Sequence, residues 1–248
     1  MSVIEFGGQG QGILLVHGLM SRATTWWKVA RWLTAHGRVV AYDARGHGRN
    51  PQRGPFRTED FVADAEALVE RLGLGPCVVL GHSMGALHGL ALAAARPDLV
   101  RAVVAEDFVP DNRGRSVDDW RWYFDAWPVP FQSLAHVRSV VDVQGVEEMF
   151  EERGDGYHLI AQLEDLYEIA AEWGERAYWD VVDAVACPVL VVEAGLHPLG
   201  PGQQAEVARR TGGAHLLVPE SGHVVHDEAP DVYRGAVEAF LSGLNPPV

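Results

Sequence analysis

The 248-residue sequence predicts an α/β protein built on a mostly parallel, doubly wound sheet. Short β-rich runs recur along the chain, and they are apolar throughout instead of alternating, which is typical of parallel strands covered on both faces. Stretches with helical spacing of apolar residues separate these runs. Alternation of strand and helix predicts βαβ units. The strand runs are 13–17, 39–42, 77–80, 102–105, 188–192 and 215–218.

Two of the intervening stretches have clear helix boundaries. The segment 58–72 (TEDFVADAEALVERL) has apolar residues at helical spacing, and Gly73 follows its end. A second helix is predicted over 84–96, because Pro97 cannot continue it. Helices of this kind supply the crossover that joins two parallel strands.

The segment from residue 111 to residue 180 breaks this rhythm, since it has helical patterns but no convincing strand. It contains 16 acidic and 6 basic residues and five of the eight tryptophans. We predict a core made of residues 1–110 and 181–248, with 111–180 as a helical insertion over the carboxyl edge of the sheet. Open α/β sheets bind ligands at that edge. The alternative is a surface helical pair that its aromatic residues merely anchor.

The composition argues against some partners. The formal net charge of −14 repels phosphate backbones and anionic lipid, so nucleic acid and membrane are not expected as partners. No apolar run approaches the roughly 18 residues needed to span a bilayer. The start MSVIEFGG lacks a basic segment followed by an apolar one, so a cytoplasmic location is expected.

One serine stands where a nucleophile would be exposed. Residues 81–85 read Gly-His-Ser-Met-Gly, a G-x-S-x-G pattern, and they lie between the strand run 77–80 and the helix that starts at 84. A turn tight enough to project Ser83 strains its backbone and leaves no room for a Cβ on the flanking segments. The amino end of the following helix points its N–H groups to where negative charge would develop.

Two other segments carry partners for this serine. His17-Gly18 ends the first long strand run, so the backbone N–H groups of Leu19 and Met84 are candidates for an oxyanion hole. Gly222-His223 follows the last strand run, which makes His223 the candidate general base.

With these motifs in place the chain resembles the α/β-hydrolase family along nearly its whole length. The resemblance rests on His17-Gly18, on YDARGHGRN (42–50), on the Ser83 turn, and on Gly222-His223 followed by a final helix. It implies an eight-strand type of sheet, here shortened at the amino end. It also implies a small helical cap inserted after the sixth strand, and a triad in the chain order serine, acid, histidine.

The acid departs from the common family pattern. Relatives often carry it after the seventh strand in a pattern like G-x-x-D-P, where this chain has His197 before Pro198. Other members place the acid after the sixth strand, and there this chain offers Glu106 and Asp107. Adjacent strand residues point to opposite faces, so one of the two can face His223. Asp107 is the first choice, Glu106 the second and Glu193 the third.

The remaining signals have structural interpretations. His47, His82 and His88 are expected to pack or to bind loop carbonyls. His223 and His226 lack a third ligand for a metal, so no metal is predicted. GGQGQG (7–12) resembles a dinucleotide fingerprint but precedes its strand, which indicates a loop or hairpin. His197 either lines the pocket or is a residue without a role, at a position that lost its function when the acid was relocated to another strand.

The expected activity is that of a cofactor-independent serine hydrolase that cleaves a small carboxylic ester or lactone through an acyl-enzyme. The acidic, aromatic insertion suggests a neutral or apolar substrate. Its pocket is predicted to include Trp120, Trp122, Trp127 and His197. The serine at position 83 argues against haloalkane dehalogenase or epoxide hydrolase chemistry, for which the family resemblance implies an aspartate as the nucleophile. The alternatives with the same triad are a C–C bond hydrolase and an acyltransferase or perhydrolase. An alternative from another class is a ligand-binding receptor or pseudoenzyme with slow turnover.

Overall fold

A seven-stranded sheet forms the centre of the computed structural model, which describes residues 1–141, 143–196 and 199–244. The strands are β1 (Val3–Gly7), β2 (Gly12–Val16), β3 (Arg38–Tyr42), β4 (Cys77–His82), β5 (Val100–Glu106), β6 (Phe150–Arg153), β7 (Gly156–Leu159), β8 (Val189–Ala194) and β9 (Ala214–Val218). The order across the sheet is β1-β3-β2-β4-β5-β8-β9. β1 is antiparallel to β3, and the other neighbours are parallel. The predicted fold class is confirmed.

Helices follow most of the strands. They are α1 (Trp27–Leu33), α2 (Thr58–Leu72), α3 (Met84–Ala95), α4 (Val117–Asp125), α5 (Leu134–Val140), α6 (Leu163–Glu175), α7 (Trp179–Ala184), α8 (Gln203–Thr211), α9 (Val225–Glu228) and α10 (Pro230–Gly243). α2 has its predicted bounds, and Gly73 ends it with a left-handed φ of 56°. α3 ends at Ala95, one residue before the predicted end. Of the helices described, none combines the length and hydropathy needed to cross a bilayer.

The apolar strands are buried on both faces of the sheet. In β2, Ile13 and Leu15 belong to a hydrophobic cluster with residues of α1 and α10. Leu14 and Val16 belong to a second cluster, on the other face, with residues of α2, α3 and α8. Successive strand residues point to opposite faces, so a continuous apolar run supplies both clusters. This two-sided burial explains why the strands lack a polar alternation.

Residues 8–11 of the glycine-rich segment 7–12 form a loop, since Gly7 ends β1 and Gly12 begins β2. It joins β1 to β2, which are not neighbours because β3 lies between them. A Cβ on Gly8 would lie 1.8 Å from the carbonyl oxygen of Gly37, so the loop requires glycine there. The sequence interpretation did not include β1, which is an edge strand that pairs with β3 and whose residues are half-buried or exposed.

The insertion, residues 111–180, has a hydrophobic cluster of its own. Phe124, Trp127, Phe131, Phe150 and Leu166 belong to this cluster, which also contacts Met20 of the core. The prediction of a purely helical insertion was wrong, because β6 and β7 form an antiparallel hairpin. FEERGDGYHL alternates weakly and is half exposed, so its strand signal is faint in sequence. α7 spans the predicted boundary at 180 and packs against α3 and α8.

Candidate active site

Ser83 occupies a strained turn between β4 and α3. Its φ of 53° and ψ of −119° lie outside the regions that a serine ordinarily adopts. A Cβ on Gly81 would lie 2.2 Å from the carbonyl oxygen of Gly85, and a Cβ on Gly85 would lie 2.1 Å from that of Val16. The Ser83 N–H donates to the carbonyl oxygen of Glu106 at 2.8 Å. The flanking glycines and β5 therefore hold the serine in its unusual conformation.

The Ser83 side chain faces a cavity of about 350 Å³ that His223 also lines. The hydrogen bonds of the described residues do not include one between Ser83 Oγ and the His223 ring. The two side chains thus meet at one cavity without direct contact of this kind. Catalytic hydrogen bonds are often long in ligand-free sites and tighten when substrate binds.

His223 is oriented by Asp107 and by its own loop. Its Nδ1–H donates to Asp107 Oδ2 at 2.6 Å. Because a carboxylate accepts and does not donate, Nδ1 carries the proton and Nε2 of the neutral ring keeps a free lone pair. The loop is held by Glu228, which accepts from the Gly222 N–H at 2.6 Å, and by His82, whose Nε2–H donates to the His223 carbonyl at 3.0 Å.

The Asp107 carboxylate is fully buried and completely engaged. Oδ1 accepts from the Ala194 N–H at 3.0 Å and from Gln204 Nε2 at 2.8 Å, and Oδ2 faces His223. Asp107 also has a positive φ of 40°, and its N–H donates to the Val192 carbonyl at 2.8 Å. The sequence reasoning missed the contacts of Ala194 and Gln204, since nothing in the local sequence marks them.

Glu106, the second candidate acid, pairs with a different histidine. Its carboxylate accepts from the His226 ring at 2.8 and 2.9 Å and from the His226 N–H at 2.9 Å. Burial alone would raise the pKa of Glu106, but the charge of His226 and its hydrogen bonds outweigh burial and lower it. Burial alone would lower the pKa of His226, and Glu106 reverses that direction and raises it. The hydrogen bonds of the described residues thus join Glu106 to His226 and do not join it to the His223 ring.

Glu193, the third candidate acid, also pairs with a histidine other than His223. Its Oε2 accepts from His215 Nε2 at 2.6 Å, across the neighbouring strands β8 and β9. Of the three candidates, the structure brings Asp107 alone to the His223 ring.

The turn after β2 fixes the orientation of the peptide between Gly18 and Leu19. The Ala44 N–H donates to His17 Nε2 at 3.0 Å, which fixes the proton on Nδ1, and Nδ1 donates to the Gly18 carbonyl at 2.8 Å. The Ser21 N–H also donates to this carbonyl, at 3.2 Å. In a trans peptide the C=O and the N–H point in opposite directions. The Leu19 N–H therefore points away from His17 and Ser21, which bind the Gly18 carbonyl. Leu19 lines the cavity.

The Met84 N–H is the first amide of α3, directly after Ser83. The first N–H groups of a helix have no partner within the helix, and they carry its positive dipole end. Met20, between Leu19 and Ser21, has a positive φ of 70°, so the opposite turn is strained as well. The two predicted oxyanion donors thus lie on two turns that flank Ser83.

The cavity wall comes from the core and from the insertion. The insertion contributes an aromatic and aliphatic wall, and the lining also holds one cation, one carboxylate and core residues. The lining residues beside Ser83 and His223 are Leu19, Met20, Ser21, His82, Arg115, Asp119, Trp120, Tyr123, Val143, Met149, Trp173 and Leu199. A smaller cavity of about 80 Å³ adjoins Ser83 and shares Arg115, Trp120, Trp173 and Leu199 with the first.

The four residues predicted to line the pocket have different positions. Trp120 lines it. Trp122 is 81% exposed and does not, because residues two apart on a helix point about 200° apart. Trp127 is buried in the insertion, with its ring centre 4.9 Å from that of Phe124, and is not in the cavity wall. The predictions for Trp122 and Trp127 were therefore wrong, and His197 lies outside the described residues.

Arg115 is a cation in the wall that the sequence reasoning did not identify. The ion pairs found among the described residues do not include Arg115. Its backbone lies close to α6, where a Cβ on Gly174 would meet the Arg115 carbonyl oxygen at 2.4 Å. Gly174 lies in α6, and a glycine in a helix lowers stability by about 1 kcal/mol relative to alanine. The close approach of the Arg115 backbone requires glycine at this position, so it is gained at the expense of helix stability.

The other histidines near the serine are buried and neutral. Burial, followed by the charge of His223, lowers the pKa of His82 to about 3. Burial likewise lowers the pKa values of His47 and His88 to about 3. His47 donates to the Arg45 carbonyl at 2.9 Å, and His88 stacks on Phe61. Their structural interpretation agrees with these contacts, and within the described chain no group of three or more potential ligands is arranged for a metal.

Comparison with known proteins agrees with this architecture. The profile of the family described as alpha/beta hydrolase fold matches residues 12–141, just over half of the chain. The sn-1-specific diacylglycerol lipase ABHD11 of Mus musculus is 28% identical over 93% of this chain and 80% of its own. The 2-(acetamidomethylene)succinate hydrolase of Mesorhizobium japonicum is 27% identical over 94% of this chain and 89% of its own.

A solved structure has the same fold across almost the whole chain. The crystal structure of an E-2-(acetamidomethylene)succinate hydrolase superposes with a TM-score of 0.86 and 24% identity, covering 97% of this chain and 94% of that one. The family profile and the nucleophile turn agree on the assignment. The chain belongs to the α/β-hydrolase family.

Proposed function

We propose that this protein is a cofactor-independent serine hydrolase that cleaves a small carboxylic ester or lactone. The observation that carries the proposal is the 2.6 Å bond from His223 to the buried Asp107, beside a cavity shared with the strained Ser83. A nucleophile, an oriented base and a buried acid at one cavity are the requirements of acyl transfer.

Acylation begins with attack of Ser83 Oγ on the substrate carbonyl carbon. His223 Nε2 accepts the hydroxyl proton as the C–O bond forms, and Asp107 stabilises the imidazolium through Nδ1–H. When the tetrahedral intermediate collapses, His223 returns this proton to the leaving alcohol oxygen. The product is an acyl-Ser83 ester, and in a lactone the alcohol stays attached to the acyl group.

Deacylation repeats the steps with water. His223 Nε2 removes a proton from water, the hydroxide attacks the acyl carbon, and Ser83 leaves with the proton that His223 returns. In both intermediates the negative oxygen lies between the N–H groups of Leu19 and Met84. Loss of one such donor costs about 10² to 10³ in rate, which is the scale that this interaction supplies.

The cavity wall favours an apolar acyl group of modest size. Trp120, Trp173, Leu19 and Leu199 supply apolar surface beside Ser83, and the volume is about 350 Å³. The insertion then acts as a cap, because its side chains form much of the wall over the sheet edge. This supports the expectation of a substrate whose reacting part is neutral or apolar.

A second candidate is hydrolysis of a small substrate that carries a carboxylate, through C–N or C–C cleavage. Two relatives in the comparison are named for hydrolysis of a succinate derivative. Arg115 lines the cavity without an ion pair in the described chain, and a guanidinium binds a carboxylate well. The same triad would serve this reaction, an acyltransferase or a perhydrolase.

The experiment is labelling with a fluorophosphonate probe together with turnover of p-nitrophenyl acetate. The wild type is expected to label at Ser83 and to release p-nitrophenol, and Ser83→Ala abolishes both. Ligand-induced shifts of Tm without labelling or turnover would instead support a receptor or pseudoenzyme.

The two substrate classes are separated by a matched series of esters. Each neutral acyl group is paired with the same group bearing a terminal carboxylate, and the series is measured with the wild type and with Arg115→Gln. A preference for neutral esters that Arg115→Gln leaves unchanged supports the ester hydrolase. A carboxylate preference that Arg115→Gln removes supports the second candidate.

A further inference from the structure

The buried side chain of Gln204 lies beside the candidate triad acid. Gln204 is the second residue of α8, and 1% of its surface is exposed. Its Nε2 donates to Asp107 Oδ1 at 2.8 Å. Its Oε1 is buried without a hydrogen-bond partner. A buried amide that uses its donor but leaves its acceptor unsatisfied is costly, so packing alone does not account for a glutamine here.

The contact of Gln204 determines which carboxylate oxygen faces His223. Oδ1 is held by Gln204 and by the Ala194 N–H, which leaves Oδ2 for the His223 ring. The Ala194 N–H is fixed by β8, so it restrains Oδ1 from one direction. Gln204 approaches from α8 and restrains rotation of the carboxylate about its Cβ–Cγ bond.

A neutral donor has an advantage at this position. A lysine or arginine would pair with Asp107 and reduce the negative charge available to the imidazolium at His223. The amide of glutamine supplies a hydrogen bond without a full charge. An asparagine side chain is one methylene shorter and would not reach from the same backbone position.

From these contacts we propose that Gln204 is a positioning residue, whose amide holds the Asp107 carboxylate so that it orients His223. The proposal rests on the proposed function, because it acts through the Ser83, His223 and Asp107 triad. Gln204 contacts no reacting atom. It acts on the transition state, where the imidazolium forms, and not on substrate binding.

The test compares Gln204→Met with Gln203→Met. Methionine keeps the approximate volume of glutamine and removes the donor. Gln203 is the adjacent residue of α8 and is a matched control, because it makes two hydrogen bonds to the backbone of Asp111 and none to Asp107. Gln204→Glu is the second variant, in case Gln204→Met does not fold. A glutamate against the buried Asp107 carboxylate can donate only while it is protonated, so kcat of Gln204→Glu relative to the wild type is expected to fall as the pH rises.

The first readout is kinetic, with rates expressed per active site titrated by a fluorophosphonate. For Gln204→Met the expected result is a fall in kcat of about 10-fold to 100-fold with KM unchanged, on the scale of a hydrogen bond to a charged group. Gln203→Met is expected to lower Tm and to keep kcat per active site. Equal kcat in Gln204→Met and the wild type would overturn the proposal.

The second readout does not depend on turnover. The His223 Nδ1–H, in a short bond to a carboxylate, gives a far-downfield proton NMR resonance that a merely structural role would leave in place. In Gln204→Met this resonance is expected to broaden or move upfield, and in Gln203→Met to remain. If the wild type shows this resonance but no hydrolysis, the proposed function fails while the role of Gln204 is still measured. An unchanged resonance in Gln204→Met overturns the role of Gln204.

Discussion

Two neighbouring residues at the end of β5 make two carboxylate-histidine pairs with different surroundings. Asp107 binds His223, whose side chain is 32% exposed and lines the cavity with Ser83. Glu106 binds His226, whose side chain is 5% exposed and stacks on Trp26 at 4.5 Å. The chemistry of the two pairs is the same, and access to Ser83 is what differs. A carboxylate-histidine pair is therefore a candidate for catalysis when its histidine faces the cavity that holds the serine, and not because of the pair alone.

The two pairs are also linked. The His82 ring lies 4.6 Å from the His223 ring and 5.5 Å from the His226 ring. The Glu106 backbone accepts from the Ser83 N–H, and its carboxylate holds the helix that follows His223. The Glu106 pair thus braces the serine turn and the histidine loop, while the His223 ring of the Asp107 pair lines the cavity with Ser83.

The largest expected effect comes from breaking the pair that faces the cavity. Asp107→Asn removes the charge that stabilises the imidazolium and the acceptor that fixes the Nδ1 proton. We expect kcat/KM for an ester substrate to fall by roughly 10³-fold to 10⁴-fold. Glu106→Gln is the control and is expected to keep most activity per titrated active site. The reverse ranking would move the acid to Glu106.

The second effect is on stability. Glu106→Gln leaves His226 without its anionic partner in a buried site, and we expect the free energy of unfolding to fall by about 1 to 3 kcal/mol. Urea denaturation followed by tryptophan fluorescence measures this change. An unaltered unfolding midpoint would contradict a bracing role of Glu106.

The third effect is the pH dependence of that loss. The lowered pKa of Glu106 makes its contribution present above its ordinary value of 4.5 and lost as the pH falls through the folded-state value. The raised pKa of His226 makes its contribution present below 6.5 and lost as the pH rises through the folded-state value. The stability difference between the wild type and Glu106→Gln is therefore expected to be greatest between pH 4.5 and 6.5.

Other groups around this pair constrain the experiment. His82 is neutral across this range, since its pKa is about 3. Burial raises the pKa of Tyr233 well above 10, so it does not titrate there. Lys28 and Asp227 pair with each other at 3.0 Å near His226. Urea titrations at pH 5.5 and pH 8.5 measure the difference, and an equal loss at both would contradict the charged pair.

The smallest effect is expected at Glu193. Its pair with His215 is partly exposed and lies away from Ser83, and such pairs contribute about 0 to 1 kcal/mol. Glu193→Gln is expected to keep the wild-type kcat/KM and an unfolding midpoint close to that of the wild type. A large loss of turnover here would show that a carboxylate beyond β5 serves the site.

The parts that sequence predicts well are those with local causes. The apolar runs predicted the strands of the sheet, and the helix-end signals predicted the bounds of α2. The glycines on either side of Ser83 indicated its tight turn, because a Cβ does not fit at those positions. The β6-β7 hairpin was missed because its half-exposed residues carry little hydrophobic pattern. Sequence could not separate Trp120, which lines the cavity, from Trp122, which is exposed. The packing of α4 decides which face of the helix points to the cavity.

Sequence by itself determined the fold class, the exposed turn at Ser83 and the loop position of His223, because each follows from spacing, glycine sterics or strand ends. It reduced the acid to a few carboxylates. The tertiary structure decided that Asp107 faces His223, that Glu106 faces His226, and that Gln204 and Arg115 lie near the site. These contacts join residues up to 120 positions apart, and their geometry depends on how strands and helices pack, which no local pattern records.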